Sequence, residues 1–313
     1  MNRHSLACLT VAAGVLWCGA AEAVPQAFVQ SDGSDANTRR DCTIAKPCRT
    51  FAAAMTVVDN GGEIVALDAE DFGVVTITKS VAIIGNAGAT IVVTSPSGAG
   101  VGVTIATPGV NVVLRGLDIN GYGVGYAGVS MSAGSSLQIE KCVISNFFGH
   151  GLMVTTPASL RVVDSLMRGN SNGARIQGGA TADVVKSRFL GNRGAGLLVQ
   201  ADTAATTSAS VSDSVASSNL LSGFQLDSAH ASGLGRMVVT NSIAAHNNQG
   251  FLSSASAGNA VMTVGQSTAA HNSIGFAQFP GVAGTSSLET LGNNMVRQNN
   301  TATTGLIVPV SPM

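Results

Sequence analysis

The chain has 313 residues, 45 % of them hydrophobic, only 11 % charged and 4 % aromatic, with a formal net charge of −1. That is too apolar for a disordered polymer and too poor in Lys, Glu and Leu for a helical bundle. No basic surplus exists to attract nucleic acid or an anionic lipid surface, so neither is an expected partner.

Residues 1–23 read as a signal peptide. Arg3 and His4 supply the positive start, Leu6 to Trp17 the apolar stretch, and Ala21-Glu22-Ala23 the small-x-small cleavage site. The apolar run is too short to span a bilayer, and no later segment is long and apolar enough either. An exported protein is expected: periplasmic, extracellular or on the cell surface, with no integral membrane segment after signal removal. Processing leaves Cys42, Cys48 and Cys142. Turn-forming sequence ending at Pro47 separates the first two, and export favours oxidation, which predicts a Cys42–Cys48 loop. Cys142 is expected to be a packed thiol, in a repeat position shared with Leu166, Arg188, Val215, Ile243 and Thr268.

Residues 24–61 form a lead-in and cap. Thr50 precedes Phe51, Met55 and Val58, which share one face of a short helix over about 51–58, stopped by Gly61-Gly62. Such a helix covers the open end of a stacked solenoid. From residue 62 to 310 the chain repeats. An asparagine recurs at 120, 146, 170, 192, 219, 247, 272 and 299, with spacings of 22 to 28 residues. A glycine series runs beside it at 128, 151, 173, 196, 223, 250 and 275, each opening a short apolar strand. Each coil also offers an apolar pair two residues apart, such as Val110 and Val112, Leu160 and Val162, or Met237 and Val239. Residues 136–158 fall out of phase by one, with Leu137 and Ile139 shifted. The apolar period of two excludes helical repeats, and the leucine-rich spacing is absent. The pattern predicts one parallel β-solenoid of roughly eleven coils, about 50 Å long at the usual strand spacing.

Asparagine tolerates left-handed backbone angles at tight turns, and stacked amides satisfy one another along the rod. Six positions before each ladder asparagine lies a polar series: Glu140, Asp164, Lys186, Asp213, Asn241 and Gln266. Asp164, Lys186 and Asp213 are read as a salt ladder, and Arg161 with Asp183 as a second pair. Phe224, Phe251 and Phe276 follow the strand glycine and are expected to stack inside.

Together these features resemble the pectate-lyase-like, right-handed parallel β-helix superfamily in its secreted bacterial members. The lead-in carries the likeness in Phe28-Val29, Gly33-Ser34-Asp35-Ala36-Asn37, Pro47 and Thr50-Phe51. It continues through Gly62-Glu63-Ile64 and Lys79-Ser80-Val81-Ala82-Ile83. The resemblance implies an all-β fold, a right-handed coil with an N-terminal capping helix. It does not choose among the lyases, hydrolases, epimerases and adhesins that share the fold.

A uronide lyase needs a cation to neutralise the uronate carboxylate and a base placed beside it. Here Lys186 interrupts the acidic stack that would hold Ca²⁺. His246 and His271 align without a recurring third ligand, and His150 near Met153 is thin as a soft-metal site. No catalytic residue, metal site or cofactor is therefore expected, with Ca²⁺ required only if the chain is a lyase. The expected function is a non-catalytic surface, adhesion or glycan-binding module with polysaccharide as partner; the alternative is a uronide polysaccharide lyase. Candidate sugar contacts are Tyr122, Tyr126, Glu140, Asp164, Arg175 and Lys186, because tyrosines and charge concentrate between Asp118 and Arg193.

Overall fold

The computed structural model describes residues 24–37, 41–86, 88–94 and 100–311. The expected signal peptide lies outside the described residues. The chain winds into a parallel β-helix whose coils each pass through three faces. Residues 111–115, 118–120 and 127–131 make one such coil, and 136–140, 143–145 and 150–154 the next. Every strand pairs in parallel with its counterpart one coil away. The second face is a sheet of nine three-residue strands, from Thr90–Val92 to Met295–Arg297. The first and third faces belong to a 20-stranded sheet. They merge near the C-terminal end, where Gln249–Gly265 and Ile274–Thr290 run through the corner as single strands.

Nine second-face strands replace the eleven coils expected. The difference lies at the N-terminal end, where Val24–Val29 and Val58–Ala66 pair on the first face alone. The helix spans Phe51–Val57, with Thr50 as its N-cap accepting from the Ala53 amide at 3.1 Å. Phe51, Ala54 and Met55 are buried against the first coils. Val58 begins a strand directly, and this strand runs through Gly61-Gly62. The glycines therefore do not end the helix; the turn into the strand does so first. A disulfide joins Cys42 to Cys48.

Alternation explains the core. On the first face Val112 and Leu114 pair with Leu137 and Ile139, which pair with Leu160 and Val162. All six are buried. Residues 136–140 are thus in register, and no bulge is present there. The slip lies instead in the preceding coil, whose apolar pair is 112 and 114 rather than 110 and 112. Phe224 stacks on Phe251 with centroids 5.5 Å apart, and Phe251 meets Phe276 edge-on at 5.2 Å, forming the expected internal column. Phe189 joins it from the second face.

The asparagine ladder occupies the turn between second and third faces. It runs from Asn170 through Asn192, Asn219, Asn247 and Asn272 to Asn299. From Asn192 onward, each Oδ1 accepts both the backbone amide and the Nδ2 of the asparagine one coil back. Each Nδ2 also donates to a second-face carbonyl, as Asn192 does to Met167 at 3.2 Å. From Asn192 to Asn272, both lone pairs and both amide hydrogens are thereby used. Asn120 and Asn146 stand outside this register. Phe147 holds the ladder position in its coil, its amide donating to Asn170 Oδ1 at 3.0 Å. The left-handed angle also falls one residue earlier than expected, at Ser218, His246, His271 and Gln298.

A serine ladder lines the turn between first and second faces. The amides of Ser165, Ser187, Ser214 and Ser242 each donate to the next serine Oγ. Cys142 is the first member of this column, since its amide donates to Ser165 Oγ at 3.2 Å. It does not share the position of Leu166, which pairs with Val143 instead. The series glycines do not take positive φ. A Cβ on Gly196 would sit 2.7 Å from the Gly223 carbonyl oxygen and 2.9 Å from Asn219 Nδ2. Close coil-to-coil approach is the reason for glycine there.

Candidate functional site

The polar column before the serine ladder is Lys141, Asp164, Lys186, Asp213, Asn241 and Gln266, all left-handed with φ between 47° and 52°. Lys141 takes the place expected of Glu140. Among the described residues, Lys186 makes no ion pair within 4 Å with Asp164 or Asp213, so the close salt ladder does not form; Asn241 bonds Asp213 instead. Glu140 ends a first-face strand and meets Arg115 Nε at 2.6 Å. The hydrogen bond from Arg115, and then one from Gln138, holds its carboxyl below the usual carboxylate range. Arg161 and Asp183 pair at 2.7 Å, as their shared position predicts.

The six candidate sugar contacts therefore do not converge. Tyr122 stands exposed in the loop between second and third faces. Glu140, Asp164 and Lys186 lie at the corner of first and second faces. Only Tyr126 and Arg175 are carried to one surface, the third face. Of the charges between Asp118 and Arg193, Asp118, Arg168 and Arg188 belong to the second face. Burial pushes the Asp118 carboxyl up, opposed by the nearby Arg168.

On the third face, outward positions of successive coils bring Ser130, Met153, Arg175, Leu198 and Gln225 into one row. Two residues further along each strand, Gln200, Asp227 and Ser254 align. The Arg175 guanidinium donates to Gln200 Oε1 at 2.6 Å, and Gln200 Nε2 donates to Asp227 Oδ2 at 3.0 Å. Ser254 Oγ donates to Asp227 Oδ1 at 3.0 Å. This chain of side chains crosses four coils along the rod. At its N-terminal side, Tyr126 meets His150 edge-on at 6.0 Å and donates to Met153 Sδ at 3.9 Å. His150 contacts Asn172 Nδ2 through Nδ1 at 3.3 Å. Burial, helped by the Arg175 charge, lowers its pKa to about 4. It is neutral at pH 7, too weak to abstract a C5 proton efficiently. Arg175 Nε and Gln177 Oε1 are buried atoms without a protein partner.

This strip offers hydrogen-bond donors and acceptors at coil spacing, one guanidinium and one aromatic ring. Its carboxylate is already bonded on both oxygens. Among the described residues no group of three or more His, Cys, Asp or Glu is placed to hold a metal ion. Phe147 is core, while Phe148 is exposed in the adjoining turn. Sequence reasoning missed Gln200, Asp227 and Ser254. Their signal was polar residues at outward positions of otherwise apolar strands.

The fold and its ladders define a right-handed β-solenoid. The family described as right handed beta helix region matches residues 29–212 and 111–301, and the chain belongs to it. The structure is similar to that of pectate lyase Pel9A, with a TM-score of 0.63 and 16 % identity over 88 % of this chain and 79 % of that one. It is also similar to ORF18 of Geobacillus virus E2, with a TM-score of 0.58 and 13 % identity. That match covers 90 % of this chain and 61 % of the viral one. At such identities the likeness concerns the fold alone. No curated protein sequence matches the chain. No helix among the described residues is long and apolar enough to cross a membrane.

Proposed function

We propose that this is an exported, non-catalytic glycan-binding β-helix whose third face receives an extended polysaccharide. The carrying observation is the Arg175–Gln200–Asp227–Ser254 chain, which repeats hydrogen-bonding groups along the rod axis. A polysaccharide laid along that axis meets one such group per coil, and Tyr126 supplies an aromatic edge beside it. The local chemistry of the strip supports binding without bond cleavage: His150, with its pKa lowered to about 4, is a weak base, and both Asp227 oxygens are already hydrogen-bonded.

The test is a glycan array followed by calorimetry on any hit. Arg175→Ala and Gln200→Ala are expected to weaken binding at least tenfold, while Asp164→Ala and Lys186→Ala leave it unchanged. Equal loss from the corner variants would move the site off the third face. The likeness to a pectate lyase motivates the second reading, a uronide polysaccharide lyase. Unsaturated uronide products, formed with Ca²⁺ and abolished by Arg175→Ala, would establish that reading instead.

A further inference from the structure

His246 and His271 occupy the same turn position on consecutive coils, each one residue before its ladder asparagine. Their imidazole rings stack with centroids 5.0 Å apart and an interplanar angle of 4°. Both residues are exposed and take left-handed backbone angles, φ 57° and 55°. Among the described residues, neither ring nitrogen has a hydrogen-bond partner within the protein. The rings stand in an open groove lined by Ser218, Leu220, Leu221, Asn248, Ser273 and Gln298, with no Asp, Glu, Lys or Arg in its walls.

We propose that His246 and His271 form a surface bis-imidazole site for a divalent transition metal ion, separate from the glycan strip. Imidazole donors suit Cu²⁺, Ni²⁺ and Zn²⁺, and the lack of carboxylates excludes selection for Ca²⁺ or Mg²⁺. Metal–nitrogen bonds of about 2.0–2.1 Å set two donor nitrogens about 3–4 Å apart. In the stacked arrangement the two rings are parallel with centroids 5.0 Å apart, so each exposed ring must turn about its side-chain bonds until both planes meet at the ion. The backbone under both rings is fixed already. Ala245 pairs with Ala270, and Asn247 bonds Asn272 through both its amide and Nδ2. Little ordering entropy is therefore lost when the second imidazole binds. Water and Gln298, next in the column, complete the coordination.

The probe is Cu²⁺ alone, titrated into the untagged full chain and followed by calorimetry and electron paramagnetic resonance. One tight equivalent with two-nitrogen hyperfine structure is expected, and Ni²⁺ and Zn²⁺ should bind more weakly. His246→Asn and His271→Asn preserve the left-handed turn. Each should weaken Cu²⁺ at least tenfold and leave a one-nitrogen spectrum. Gln298→His adds a third imidazole to the column and should strengthen binding at least tenfold. Unchanged affinity in either single variant overturns the proposal, as does full binding by the double variant, which would place the ion on other histidines. Failure of Gln298→His to strengthen binding overturns the shared-column geometry on which it stands.

Discussion

Replacing Asn192 with alanine tests the ladder at a fully bonded point. The Asn192 Oδ1 accepts the Asn170 amide at 3.1 Å and Asn170 Nδ2 at 3.3 Å. Its Nδ2 donates to the Met167 carbonyl at 3.2 Å and to Asn219 Oδ1 at 2.9 Å. Alanine removes all four bonds and leaves the Asn170 amide without its acceptor in a buried turn, while Asn219 Oδ1 keeps the backbone amide of residue 192 and Asn170 Nδ2 keeps the Ile144 carbonyl. At about 0.5–1.5 kcal/mol net per bond, the loss is about 2–6 kcal/mol. Entry of a water molecule would recover part of it, so about 3 kcal/mol is expected. Asn192→Asp should cost more, because a carboxylate oxygen then faces two acceptors. Guanidinium unfolding gives the energy, and hydrogen exchange at the Asn170 amide reports the ladder locally, which matters in a solenoid whose coils need not unfold together. Asn146→Gly is the control, since that side chain is exposed and bonds only Asn120 at 3.2 Å, and glycine keeps its left-handed φ of 60°; it should change stability by under about 0.5 kcal/mol. If Asn192→Ala and Asn146→Gly cost the same, the ladder does not hold the rod together.

Further outcomes are expected at four sites. Gly196→Ala forces a Cβ against a neighbouring carbonyl oxygen and should cost about 1–3 kcal/mol in the same unfolding assay. Cys142, whose thiol burial pushes up to about 11, should resist a disulfide reagent in the native state. Cys142→Ser extends the serine ladder and should alter stability by less than about 1 kcal/mol, while mass mapping without reduction should find Cys42 bonded to Cys48. His150 has a folded pKa of about 4 against an ordinary 6.5, so the unfolded chain binds its proton first. Its contribution is present above pH 6.5 and is lost as pH falls towards 4; about 2 kcal/mol of acid destabilisation should disappear in His150→Gln.

The repeat was legible in the residues themselves. Period-two apolar pairs, turn asparagines and strand glycines each answer to local rules of side-chain direction and turn geometry, which act within a few residues. Those rules determined a parallel solenoid, the internal phenylalanine column and the helix near residue 51. Register was a different matter. A one-residue slip leaves a sequence repeat looking much the same yet moves a side chain to another column. Pairing between coils alone revealed that Phe147, not Asn146, fills the ladder position, that Cys142 belongs with the serines, and that Lys141 displaces Glu140. The candidate site depended on the same information. Tyr126 and Arg175 look no closer to each other in sequence than to Glu140 or Lys186. Parallel pairing about 4.8 Å apart, together with the direction of each strand's outward residues, brought them to the third face. It also joined Arg175 to Gln200 and Asp227, partners 25 and 52 residues away in the chain. The sequence by itself determined what each coil is made of; the stacking of one coil on another decided which side chains meet.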